Sequence, residues 1–103
     1  MLSKEQQHII IETLKPYNPS FIGLFGSYAR NEETEKSDID ILYKFNTQKF
    51  SLFDLIELEE LLQKKLNKKV DLVSLNNIKP YFKKYIVDDL IYLLNEKNEQ
   101  IIS

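Results

Sequence analysis

The chain has 103 residues, 43% of them hydrophobic and 29% charged, with no cysteine and His8 as its one histidine. This excludes a disulfide framework, a thiolate metal centre and a histidine-rich zinc site, and no apolar run approaches the ~18 residues needed to span a bilayer. The net charge of −2 comes without a basic stripe, which disfavours direct nucleic-acid binding, and the N-terminus has no apolar signal core. We therefore expect one small cytoplasmic domain over residues 1–103.

Ser3-Lys4-Glu5-Gln6 has the form of a capping box. It opens an expected helix to Lys15 with Ile9, Ile10 and Leu14 on its inner face, ended by Pro16. His8 on that helix reads as an incidental surface residue. Pro16 and Pro19 bracket a turn. Phe21-Ile22-Gly23-Leu24-Phe25 is a short apolar run of strand length. It stops at Gly26, where glycine permits a sharp turn and close approach to a ligand. Ser27 is expected to cap a short helix through Tyr28, Ala29 and Arg30. Free N–H groups at such a terminus suit a phosphate, although a Gly-Ser pair alone reads equally as a capped turn.

Asn31 to Lys36 is a polar, acidic connection expected at the surface. Ser37 to Phe45 then alternates Asp38 and Asp40 with Ile39 and Ile41. Residues two apart on a strand share a face, so the isoleucines point to a core and both carboxylates to the other side. Like charges roughly 7 Å apart on one face repel, and aspartate is a poor strand former. A cation offsets that penalty, and Mg²⁺ favours carboxylate oxygens together with phosphates. A solvated edge strand with incidental acids is the competing reading.

Ser51 opens an expected helix to about Leu66, with Leu55, Leu58, Leu62 and Leu66 at core spacing. Lys64, Lys65, Lys68 and Lys69 close it, where cations meet the dipole favourably; a contact to ATP or an acidic partner is the alternative. Lys69 to Ser74 is a further β-rich run centred on Asp71. If it pairs beside the Asp38 strand, three carboxylates share one face and can hold two metal ions ~3.5–4 Å apart. Asn76-Asn77 breaks the chain, and Pro80 suits a first helical turn. A last helix is expected from Lys79 to Asn95, with Phe82, Ile86, Leu90 and Leu93 on one side. Tyr81, Tyr85 and Tyr92 lie toward another, as a wide core face or a partner surface. The tail from Glu96 to Ser103 is expected to fray.

Gly26-Ser27, ten residues, Asp38-x-Asp40 and then Asp71 together resemble the nucleotidyltransferase superfamily of DNA polymerase β and kanamycin nucleotidyltransferase. More closely they resemble its minimal nucleotidyltransferases, which carry G-S-x10-D-x-D and often serve as the MntA-type antitoxin of HEPN/MNT toxin–antitoxin pairs. Four fixed residues at fixed offsets arise by chance about once in 10⁵ start positions at average residue usage.

The resemblance implies an α+β fold, a small mixed sheet flanked by helices like the polymerase β palm. It implies Mg²⁺-dependent transfer of AMP from ATP to a hydroxyl. Gly26 and Ser27 match the residues that cradle the triphosphate, and Arg30 matches a basic position that contacts phosphate or forms a salt bridge. Asp38 and Asp40 match the metal-binding pair, and Asp71 matches the third carboxylate, which assists deprotonation of the acceptor. Larger relatives carry a second domain that presents the acceptor. Its absence here points to an acceptor supplied in trans, a tyrosine of a HEPN toxin. Two rivals stand beside this: a non-enzymatic module that occludes its partner through the last helix, and a transferase acting on a small-molecule or RNA hydroxyl.

Overall fold

The computed structural model describes residues 2–47 and 49–96. Helix α1 (Lys4–Leu14) begins with the expected capping box: Gln6 N donates to Ser3 Oγ, and Ser3 N to Gln6 Oε1. A 3₁₀ turn over Lys15–Tyr17 contains Pro16 and hands the chain to strand β1 (Pro19–Phe25). Strand β2 (Ile39–Phe45) runs antiparallel to β1. Helix α2 (Leu52–Leu66) has a second capping box, formed by Ser51 and Asp54. It crosses over to strand β3 (Val70–Ser74), which lies parallel to β2. After a 3₁₀ turn at Leu75–Asn77 come α3 (Pro80–Asp89) and β4 (Ile91–Asn95). The four strands stand in the order β3-β2-β1-β4.

Strand alternation divides the side chains between two faces. Ile22 and Leu24 of β1, Ile39 and Ile41 of β2, and Val70 and Leu72 of β3 pack with α1 and α2 in the larger core. Ile10, Leu14 and Leu62 are fully buried there. Phe21 and Leu42 point to the opposite face, where Ile86 of α3 joins them in a smaller cluster. Leu62→Ala should lower unfolding free energy by ~3 kcal/mol in urea titration, the usual penalty for a collapsed-upon core cavity.

The rim of the sheet at β3 is closed by side chains. Val70 N donates to Gln63 Oε1 at 3.2 Å and Leu72 N to Glu59 Oε2 at 2.8 Å, both acceptors belonging to α2. Edge amides that would otherwise face solvent are thereby satisfied.

The expected helix from Lys79 to Asn95 is two elements. Leu90 is extended, at φ −65° and ψ 128°, and the chain continues as β4 against β1. Phe82, Ile86, Leu90 and Leu93 do recur at helical spacing. The run Leu90-Ile91-Tyr92-Leu93-Leu94 is also apolar enough for a strand, and β1 has an open side that this run pairs with. Tertiary pairing therefore overrides helical periodicity. The expected fraying of the tail concerns residues that, after Glu96, lie outside those described.

Candidate active site

The smaller-core face of the sheet carries the polar row. Register places Phe25 of β1 opposite Asp40 of β2, and Asp40 opposite Asp71 of β3. Asp40 and Asp71 are thus direct neighbours across a parallel pair, although 31 positions separate them in sequence (71 − 40). Asp38 precedes β2 by one residue, and the following amide, Ile39 N, donates to Lys69 O at 2.9 Å. The structure therefore brings all three predicted carboxylates to one end of two adjacent strands. Their mutual repulsion is legible at Asp40, whose pKa is raised to about 6 by burial first and then by the charges of Asp71 and Asp38. Arg30 and Lys69 oppose that shift.

Gly26 closes the site from above. Its φ is +76°, a conformation that suits glycine, and a Cβ there would overlap Asp40 Oδ2. The chain then folds through overlapping turns rather than the short helix expected. Ala29 N and Arg30 N both donate to Gly26 O at 3.1 Å, and Glu32 N donates to Ser27 O at 2.9 Å. Ser27 accordingly caps no helix. Tyr28, only 6% exposed, anchors the turn in the larger core, which fixes Gly26 and Ser27 above the carboxylates.

Arg30 makes ion pairs with Glu32 at 3.1 Å and with Asp89 of α3 at 3.5 Å. It ties the turn to α3 and, from there, acts electrostatically on Asp40. The lysine group around the end of α2 disperses: Lys65 Nζ donates to Thr13 Oγ1, and Lys68 Nζ to Glu35 O. Lys69 is the member that reaches the site, 3.7 Å from Asp38 Oδ2. By sequence it belongs to a run that reads as a solvated helix end, with a contact to ATP or an acidic partner as the alternative. Its position two residues before Asp71, on the same face of the β run, was the available signal.

The donor set suits a hard divalent cation. Carboxylate oxygens are its preferred ligands, and a cation would relieve the repulsion that adds to burial in raising Asp40. Among the described residues no three acidic or histidine side chains close around a single point. Mg²⁺ does not require that, because it is held by one or two carboxylates with water and substrate phosphates completing its shell. No helix among these residues is long and apolar enough to cross a membrane.

Residues 8–99 match the polymerase β nucleotidyltransferase family. The chain belongs to this family. A provisionally named protein adenylyltransferase of Methanocaldococcus jannaschii is 52% identical over 83 residues, covering 80% of this chain and 84% of that protein. The protein adenylyltransferase MntA of Thermococcus cleftensis is 43% identical over 72 residues, 70% of this chain and 72% of that one. A crystal structure of a toxin–antitoxin with AMP-PNP contains a chain that superposes with a TM-score of 0.79 at 26% identity, covering 89% of this chain and 75% of that one. The small mixed sheet with three helices is the nucleotidyltransferase fold anticipated from the motif.

Proposed function

We propose that this nucleotidyltransferase moves AMP from ATP to a hydroxyl of a partner protein, a tyrosine of a HEPN-type toxin, and so acts as the antitoxin of the pair. The observation that carries the reading is the pairing of Asp40 with Asp71 beside Asp38, beneath the Gly26-Ser27 turn. Relatives named protein adenylyltransferases, and a fold neighbour in a toxin–antitoxin structure with an ATP analogue, support the donor and the class of acceptor.

In this reading Gly26 lets the backbone approach the triphosphate, and the Ser27 hydroxyl orients it. Asp38, Asp40 and Asp71 would share the Mg²⁺ ions, each held by one or two of these carboxylates together with substrate phosphates, and the bound metal would neutralise phosphate charge. The acceptor oxygen forms a bond to the α-phosphorus. The bond from that phosphorus to the bridging oxygen breaks, and pyrophosphate leaves with the electron pair. Asp71 assists removal of the hydroxyl proton. Arg30, held beside the turn by Glu32 and Asp89, is available to the leaving phosphates.

The test is a labelling experiment. Purified protein is incubated with Mg²⁺, ATP labelled at the α-phosphate and lysate of its host, beside an Asp38→Ala/Asp40→Ala variant. A labelled protein band that requires Mg²⁺ and is absent with the variant is expected. The exposed Tyr81, Tyr85 and Tyr92 favour occlusion of a partner as the second reading. Co-purification of the same partner with both forms, and no labelled band, would replace the first reading with this one.

A further inference from the structure

We infer that the cleft between the start of α3 and the sheet is the subsite for the base of the donor nucleotide, and that Asn77 and Tyr81 read and stack that base. This deepens the proposed function and rests on it. The cleft measures about 360 Å³, room for a purine nucleoside. Phe25 and Val73 line it, and both place it beside the carboxylates. Phe25 stands directly opposite Asp40, and Val73 follows Asp71 by two residues on the same strand face. Two residues along a strand is roughly 7 Å, about the span of a ribose. A triphosphate held at the Gly26-Ser27 turn would thus project its nucleoside toward this cleft.

The lining has the chemistry of a base site. Ile78 and Ile86 contribute apolar walls. Tyr81 and Phe82 stand as an aromatic pair at its mouth, ring centroids 4.9 Å apart and inclined by 35°. They are 62% and 54% exposed, so the fold does not use them as core. Flat aromatic surface of this kind stacks bases without regard to sequence. Asn77 supplies the selective element. Its side-chain amide offers a donor and an acceptor together, the pair that matches the N6 and N7 edge of adenine. A tyrosine ring of an acceptor protein has no such edge, which favours a base over an acceptor side chain as occupant. Lys79 lines the same cleft.

The experiment is calorimetric titration in Mg²⁺ with three probes: AMP-PNP, GMP-PNP and inorganic tripolyphosphate, which lacks a nucleoside. Wild type should bind AMP-PNP more tightly than either other probe. Tyr81→Ala should weaken AMP-PNP about tenfold, the scale of one lost base stack, and leave tripolyphosphate unchanged. Asn77→Ala should erase most of the preference for AMP-PNP over GMP-PNP. Both positions are exposed, and thermal melts verify that the variants fold. The inference is overturned if wild type binds AMP-PNP no better than tripolyphosphate. It is overturned equally if neither Tyr81→Ala nor Phe82→Ala alters AMP-PNP binding. Failure of wild type to bind both tripolyphosphate and AMP-PNP would instead sink the nucleotidyl-transfer reading itself, and this one with it.

Discussion

Asp40→Asn is expected to reduce AMP transfer by about 10³-fold while making the metal-free protein more resistant to heat. The first effect follows from the loss of charge at the centre of the acidic row. Metal-assisted charge neutralisation is worth several kcal/mol in the transition state, and each 1.36 kcal/mol is a factor of ten in rate. The second follows from the raised pKa. Asp40 titrates at about 6 in the folded protein against an ordinary 3.8, so the folded state binds this proton more tightly than the unfolded chain does. Its contribution to stability is full below about pH 4 and is lost as pH rises through about 6. Wild-type melting temperature in EDTA should therefore fall behind that of the asparagine variant across those values. The difference should be a few degrees at most, because the carboxylate is only partly buried and solvent screens it. Mg²⁺ should restore wild-type stability near neutral pH by binding the folded state, with little effect on the variant. Melts at pH 4 to 8, with and without Mg²⁺, read all of this. A melting-point advantage of Asp40→Asn over wild type that does not grow between pH 4 and 6 in EDTA would contradict the electrostatic account of the site.

Gly26→Ala should cost activity out of proportion to stability. A side chain at φ +76° is strained by ~1–2 kcal/mol, which lowers the melting temperature by roughly 5–10 °C in a domain of this size. The more serious effect is local. The new Cβ would occupy the space of Asp40 Oδ2, so either the turn lifts or the carboxylate swings away. A displacement near 1 Å at a reacting centre is worth about 10²-fold in rate, and that is the expected loss in the labelling assay. Ser27→Ala provides the comparison. It adds no atom against Asp40, so its melting temperature should stay near wild type and any loss of activity reports the hydroxyl alone. Equal activity in Gly26→Ala and wild type would mean that the turn does not pack on Asp40 as described.

The parts of this molecule that could be read from sequence are those whose information is local. Ser3 with Gln6 and Ser51 each announce a helix start, and both capping boxes form. Period-two alternation sends Ile39 and Ile41 to the core and Asp40 to the opposite face. Pairing between β2 and β3 is long-range, and Asp71 could be placed beside Asp40 only because three acids in this order resemble a known family. The failures also have physical causes. Residues 90–94 satisfy both periods, and the open side of β1 decides between them. The Gly26-Ser27 segment forms turns because Tyr28 is pulled into the core, a contact that local propensity does not encode. Lys69 reads with its neighbouring lysines, whereas its place one residue before β3 brings its amine to 3.7 Å from Asp38.

The amide bonds from Val70 to Gln63 and from Leu72 to Glu59 carry a consequence for how long the enzyme stays active. β3 is a five-residue rim strand, and opening of such a strand is a sub-global event, with a lower free energy than unfolding the whole sheet. Peeling it back would part Asp71 from Asp40 while β1 and β2 remained zipped. Such an opening would silence the protein without melting it, and re-docking one strand would restore it. Glu59 and Gln63 act as two latches on that motion. They sit on α2, away from the acidic face, yet they set the fraction of molecules in which the carboxylates are together. The same latches occupy two of the edge amides that an invading strand would need, which disfavours sheet extension by another chain at the rim beside the site.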